Sequence, residues 1–184
     1  MDIFSFLCYA VYDLLSISCN FMEVYMPYQD TALVCLNGHM INDSINKNPE
    51  LNTKFCEQCG EANISECPKC EAMIRGNIHY EHIIGGGLFD PPLYCHNCGE
   101  PYPWMSRRLD ALKEAIMYTE LDDSDKKIFT ESIVDVTSEN PKTKLSVLKI
   151  KNIGAKIGGS LWNDIISPLI VEIASETAKK AFGL

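Results

Sequence analysis

Basic residues are scarce in this chain of 184 residues, which has 16 Lys and Arg against 25 Asp and Glu and a formal net charge of −9. Proteins that bind nucleic acid non-specifically do so through many Lys and Arg contacts to phosphates. The acidic balance therefore argues against general nucleic-acid binding, although it is compatible with a local basic patch. The first Lys or Arg is Lys47, so the sequence also lacks the basic stretch that opens a secretory signal peptide.

Long apolar runs are missing as well. The most apolar stretch, residues 3–22, is interrupted by Asp13 and several serines, whereas a membrane-spanning helix needs about 20 predominantly apolar residues. We therefore expect a cytoplasmic protein, in a reducing compartment where thiols persist. The sequence also has no G-x-S-x-G elbow and no P-loop, which excludes two common catalytic signatures.

Cysteine, in contrast, is abundant and unevenly placed. Seven of the nine cysteines lie between Cys35 and Cys98, and six of them form C-x-x-C pairs. Zinc takes four Cys or His ligands in a tetrahedron, and a two-residue gap lets both thiolates of a pair face one ion. We therefore predict two structural Zn²⁺ ions. Their predicted ligands are Cys35, His39, Cys56, Cys59, Cys67, Cys70, Cys95 and Cys98.

The four ligand pairs can be distributed between the two ions in two ways. In a sequential pairing, the ligands up to Cys59 would hold one ion and those from Cys67 onward would hold the other. An interleaved pairing would alternate the pairs between the two ions. Loop-closure entropy favours the sequential pairing by only about half a kcal/mol, because it grows slowly with loop length. Local hairpin geometry is the better reason to predict tandem ribbons, and the interleaved pairing stays open at this point.

The segment around His79 has a partial resemblance to a catalytic zinc site. His79 and Glu81 followed by Cys95-x-x-Cys98 partly match the signature of zinc deaminases. However, Tyr94 stands where that signature has a proline, and the match would leave Cys67 and Cys70 without a role. We therefore expect His79 and His82 to be ordinary loop or strand histidines, and we predict no catalytic residues.

Composition divides the chain into three regions. Residues 1–29 form an apolar leader that holds Cys8 and Cys19, and we expect translation often to start at Met26 instead. Residues 30–104 contain all the predicted ligands, with frequent Gly and Pro, and are expected to form a double zinc-ribbon domain. Residues 105–184 contain no cysteine and are expected to be helical. The predicted fold class is α+β, with small β-rich tandem zinc ribbons followed by a helical C-terminal region.

The helical region has recognisable starts and faces. Ser106 is predicted to cap a helix from Arg107 to about Thr119, and Ser124 a second helix with Phe129, Ile133 and Val136 on one face. Asn140-Pro141 predicts the start of a third helix. Its predicted apolar stripe is Ile150, Ile153, Ile157, Leu161 and Ile165, and Pro168 is expected to end or kink the helix.

Four segments around the cysteines resemble an uncharacterised bacterial tandem zinc-ribbon family of the DUF2321 type. They are Val34–Asn42, Phe55–Gly60, Cys67–Cys70 and Tyr94–Trp104. The resemblance extends over most of the chain from about Met26. It implies zinc binding by the matching cysteines and His39, together with a helical tail. It implies no activity and does not include His79 or His82.

Three kinds of partner are compatible with the sequence. Residues 141–184 have seven lysines against three acids, a net charge of +4. With Gly154-x3-Gly158 and the apolar stripe, this region favours a protein partner or self-association through the C-terminal helices. Nucleic acid binding at Lys142–Lys156 is compatible with the sequence but not favoured. Peripheral attachment to an anionic membrane surface through the same basic segment is the third alternative.

Overall fold

The computed structural model describes residues 27–80 and 89–183. Most of the predicted leader, with Cys8, Cys19 and the expected start at Met26, lies outside the described residues, and so does His82. The chain divides into two compact units, residues 1–92 and 93–184. The predicted α+β class is confirmed, because short antiparallel strands occupy the N-terminal half and helices the C-terminal half.

The first unit consists of short strands joined by tight turns. Strand β2 lies between β3 and β4 in one antiparallel sheet, and β1 pairs with β5 in another. The strands are β1 Tyr28–Thr31, β2 Leu33–Cys35, β3 Met40–Asn42, β4 Asn63–Ile64 and β5 Arg75–His79, with a 3₁₀ turn at Pro49–Leu51. The buried side chains of Ala32, Val34 and Ile74 form its small apolar centre. In the described part of this unit the apolar core is small, and units with small cores generally need a disulfide or a metal to fold stably.

The second unit is helical from Pro103 onward. Its helices are α1 Pro103–Met117, α2 Asp123–Val136, α3 Thr143–Gly154, α4 Gly159–Leu161, α5 Ser167–Ile173 and α6 Glu176–Phe182, with a π-helical turn at Trp162–Ile166 between α4 and α5. The core includes Trp104 and Leu112 of α1, Phe129 of α2 and Ile150 of α3, all of which are fully buried. None of the helices in the described residues is both long enough and apolar enough to cross a membrane.

The first two helices exist as predicted but begin earlier. Helix α1 begins at Pro103, since proline in the first turn needs no hydrogen bond for its missing N–H, and Ser106 therefore lies inside the helix. Asp122 rather than Ser124 caps α2, because its side chain accepts a hydrogen bond from the Asp125 N–H at 2.8 Å. The apolar face of α2 is confirmed, since Phe129, Ile133 and Val136 are buried.

The prediction of one continuous third helix is wrong, because the helix is interrupted after Gly154. Helix α3 ends at Gly154, and a new helix begins at Gly159. A Cβ atom on Gly154 would lie 2.5 Å from the Trp162 ring, so the glycine makes room for an indole that folds back onto α3. Gly154 and Gly158 therefore mark a helix break rather than one small-residue helix face. The apolar stripe is broken with it, and Ile165 is exposed.

Pro168 is accommodated without ending the helix. The preceding residues adopt a π-helical turn in which the Ser167 N–H donates to the Trp162 carbonyl, five residues back. Proline has no N–H and its ring would clash with the carbonyl four residues earlier. A π turn widens the helix locally, and the chain continues as α5 to Ile173.

Candidate metal centres

Four predicted ligands of the first unit come together at the ends of two turns. The ligating atoms of Cys35, His39, Cys56 and Cys59 all lie within 4.8 Å of one another. The Cys35 Sγ lies 3.4 Å from the His39 Nδ1 and 3.8 Å from the Cys59 Sγ, and the Cys56 Sγ lies 3.5 Å from the His39 Nδ1. The group could hold one metal ion.

The turn between β2 and β3 positions the first two of these ligands. The Cys35 N–H donates to the His39 carbonyl at 3.0 Å, and the Gly38 N–H donates to the Cys35 carbonyl at 2.8 Å. Gly38 has a φ of +88°, a left-handed conformation that glycine adopts without steric cost. The His39 N–H also donates to the Cys35 Sγ at 3.2 Å, so the turn directs backbone dipoles at the sulfur.

The second group consists of four cysteines. The Sγ atoms of Cys67, Cys70, Cys95 and Cys98 also lie within 4.8 Å of one another. None of the seven cysteines in the described residues is in a disulfide. The two groups contain the ligands in sequence order, as in the sequential pairing and not the interleaved one. The second group could therefore hold a second metal ion.

The three C-x-x-C pairs have one common backbone geometry. In each, the residue after the second cysteine donates its N–H to the carbonyl of the first, as from Gly60 to Cys56 at 2.8 Å. The first cysteine in turn donates to the carbonyl five residues ahead, at 2.8 to 2.9 Å. The residue after each pair has a positive φ, namely +73° at Gly60, +60° at Glu71 and +74° at Gly99. The three pairs thus share one closed turn, and the two Sγ atoms of each pair lie within 4.8 Å of each other.

Both groups have a protected and an open side. The first cysteine of each pair is buried at Cys35, Cys56, Cys67 and Cys95, whereas Cys59 and Cys98 are exposed. Burial raises the pKa of the Cys35 thiol. The pKa of Cys59 is lowered to about 6, mainly by a hydrogen bond from the Glu61 backbone and with further help from Asn37. A thiol with so low a pKa is deprotonated at neutral pH, which is the form that binds metal.

His79 belongs to neither group. It ends β5, as expected of a strand histidine, and its Nε2 lies 2.9 Å from the Ser44 Oγ. Its Nδ1 lies 3.3 Å from the Lys47 Nζ, and its Nε2 lies 3.7 Å from a carboxylate oxygen of Asp30. Its hydrogen bonds therefore hold β5 against the loop after β3.

The hydrogen-bond network around Asp30 was not predicted from the sequence. This carboxylate is 2 % exposed and accepts hydrogen bonds from the Thr31 N–H and the Asn46 side chain, both at 2.7 Å. The Lys47 N–H donates to its other oxygen at 3.2 Å. Burial by itself raises the pKa of Asp30, but these donors outweigh burial and the pKa is lowered. A single acidic residue beside a strand carries no signal of this kind, because its partners lie 16 residues further along the chain.

The comparisons with known proteins give one family match. No curated protein and no solved structure matches the chain. Residues 28–182 match a family described as "Uncharacterized protein conserved in bacteria (DUF2321)", so the match includes both ligand groups and all of the helices. The chain therefore belongs to this bacterial family.

Proposed function

We propose that this protein is a non-catalytic zinc-binding interaction module, held together by two structural Zn²⁺ ions. The observation that carries the proposal is the assembly of eight Cys and His side chains into two complete groups of four. Tetrahedral zinc uses this number and type of ligand in structural sites.

The distances in the first group are compatible with a tetrahedral zinc site. Zn–S bonds of about 2.3 Å and Zn–N bonds of about 2.0–2.1 Å in a tetrahedron put two sulfurs about 3.8 Å apart and a sulfur and a nitrogen about 3.5 Å apart. The corresponding separations here are 3.8 Å between two sulfurs, and 3.4 and 3.5 Å between sulfur and nitrogen. Thiolate-rich tetrahedral sets also disfavour magnesium and calcium, which prefer oxygen ligands.

Full ligand sets support a structural role over a catalytic one. A catalytic zinc keeps one coordination position open for water, whereas four protein ligands close the site. The deaminase alternative needs Cys95 and Cys98 to work with His79 at a three-ligand site. Instead, Cys67 and Cys70 complete that group, and His79 contacts Ser44.

The basic segment gives less support to a nucleic-acid partner. Two of its five lysines are engaged within the second unit, Lys151 with the Ala181 carbonyl at 2.9 Å and Lys156 with Asp125 at 2.6 Å. Three lysines of the segment remain for phosphates on a chain with a net charge of −9, and a protein partner is the better proposal. Reduced thiolate sites of this kind persist in a reducing cytoplasm, which is the compartment we propose.

Metal content and folding test the proposal together. We expect two zinc ions per full-length chain by elemental analysis of the purified protein. Removing them with a strong chelator should abolish the strand and turn structure of the first unit, since structural zinc contributes on the order of 10–16 kcal/mol of apparent folding free energy per ion. Circular dichroism and amide exchange spectra that do not change on zinc removal would contradict a structural role.

A further inference from the structure

The first metal group borders a surface cleft of about 330 Å³. Met40, Ile41 and Leu51 contribute its apolar lining, and Cys56 lies beside them. Leu51 is 52 % exposed although it is a large apolar residue. We call this site the knuckle cleft. It offers apolar surface next to a turn that a metal would hold rigid.

Two negative charges also line the knuckle cleft. Glu50 precedes Leu51 and Glu57 follows Cys56, and both side chains are exposed. Among the residues that the structure describes, neither carboxylate has an ion-pair or hydrogen-bond partner. The cleft therefore suits an apolar side chain that carries positive charges on either side of it.

Helix α3 presents a surface with the opposite charge. Its inner face is buried through Val147, Ile150 and Ile153. On its outer face, Leu145 is 54 % and Leu148 59 % exposed, and residues three apart are neighbours on a helix surface.

Two lysines border these leucines. Lys144 and Lys149 are exposed and have no side-chain partner within the described part of the chain, unlike Lys151 and Lys156. We call the set of Lys144, Leu145, Leu148 and Lys149 the Leu–Lys face.

We propose that the Leu–Lys face of one molecule docks in the knuckle cleft of a second copy. The inference rests on the proposed function, because the metal-held turn supplies one wall of the cleft. The two leucines would enter the apolar part of the cleft, as an amphipathic helix enters a groove, with the lysines near Glu50 and Glu57. Each copy carries both surfaces, so identical chains can make this contact, and a pair of chains that makes it in both directions is a closed dimer.

Charge reversal gives a direct test with the full-length, zinc-loaded chain. A cleft-reversed variant carries Glu50→Lys and Glu57→Lys, and a face-reversed variant carries Lys144→Glu and Lys149→Glu. Each variant alone places like charges against each other and should dimerise at least about tenfold more weakly than the wild type. Mixing the two variants restores opposite charges at both contacts, so a heterodimer should form.

The measurement is mass by analytical ultracentrifugation, starting with the wild type at about 100 µM, where a contact of micromolar affinity is saturated. We expect twice the chain mass of 20.7 kDa for the wild type and for the mixture, and mainly monomer for each variant alone. If Glu57→Lys, which lies within a metal-binding turn, lowers the zinc content, Glu50→Lys alone replaces it as the cleft-reversed variant.

Three outcomes would overturn the docking. They are a wild type that stays at 20.7 kDa, variants that dimerise as well as the wild type, and a mixture that stays monomeric. Flotation of a monomeric wild type with anionic phosphatidylserine vesicles would assign the Leu–Lys face to a membrane instead. Zinc content separates the two proposals, because a monomer with two zinc ions contradicts only the docking.

Discussion

The Sγ atoms of Cys35 and Cys59 lie 3.8 Å apart although 24 residues separate them in the chain. The two residues come from different turns, one between β2 and β3 and the other after Cys56. Strand β2 pairs with β4 so that Cys35 lies opposite Asn63, and this pairing brings the Cys56–Cys59 turn beside Cys35, where the two sulfurs could bind one metal ion. This contact is the basis of the first prediction.

Replacing Cys59 should remove one metal ion and leave the other. We expect Cys59→Ser to lower the zinc content from two ions per chain to one, because the hydroxyl of serine is a poor zinc ligand beside thiolates. Elemental analysis measures the content. Cys8→Ser, at a cysteine outside both ligand groups, should retain two ions. Loss of both ions from Cys59→Ser would show that the two sites do not fill independently.

The positive φ after each C-x-x-C pair predicts opposite effects on stability for two kinds of substitution, one to glycine and one from glycine. Glu71 has a φ of +60°, so Glu71→Gly should stabilise the protein by about 0.5–1 kcal/mol. Gly60→Ala and Gly99→Ala should destabilise it by about 1–2 kcal/mol, since an added Cβ meets no atom within 4 Å and only the backbone conformation is penalised. Thermal unfolding of the zinc-loaded protein measures both effects. A destabilised Glu71→Gly would mean that the Glu71 side chain makes a larger contribution than its backbone strain.

Gly154 should tolerate no side chain. A Cβ there would lie 2.5 Å from the Trp162 ring, so Gly154→Ala must displace the indole or α3. We expect a loss of about 1–3 kcal/mol, the usual cost of overpacking, and a change in tryptophan fluorescence. Gly159→Ala is the matched control, because its Cβ would meet only the Asn163 side chain at 3.9 Å. Equal stability of the two variants would contradict the tight contact.

Asp30 should stabilise the first unit as an anion. We expect Asp30→Asn to lower stability by about 1–3 kcal/mol, because the buried N–H donors lose a charged acceptor. The folded pKa of Asp30 is lowered, so its contribution is complete above the unfolded pKa of about 3.9 and is lost only as pH falls through the folded pKa. The difference between the two proteins should therefore not shrink as the pH falls from about 8 to about 5. A difference that shrinks toward pH 5 would show that the pKa is raised.

The ligand groups were predictable from the sequence because the spacing within each Cys or His pair is itself the geometric requirement. The apolar face of α2 was predictable for a similar reason, since Phe129, Ile133 and Val136 repeat with the helical period. The contacts within each pair and along α2 lie within a few residues of the chain, whereas the grouping of the pairs depends on distant contacts such as that of Cys35 with Cys59, 24 residues apart.

Features that depend on distant contacts could not be predicted in this way. Hydrophobic periodicity runs through Gly154 without interruption, and it does not reveal the close approach of the Trp162 indole, eight residues later, to this glycine. The start of α2 depended on a choice between two good caps, Asp122 and Ser124, which sequence preference alone does not decide. Buried networks such as that of Asp30 need the loop to be folded before their partners can be named.

The unequal exposure of the ligands has a consequence for how fast a metal would leave. Cys35, Cys56, Cys67 and Cys95 are shielded, whereas Cys59 and Cys98 face the solvent. A competing chelator or thiol would therefore attack from that side and displace the outer sulfur first. Exchange of a bound ion should then depend on the concentration of the attacking ligand, and the lability of each site should be governed by its single outermost cysteine rather than by its overall affinity.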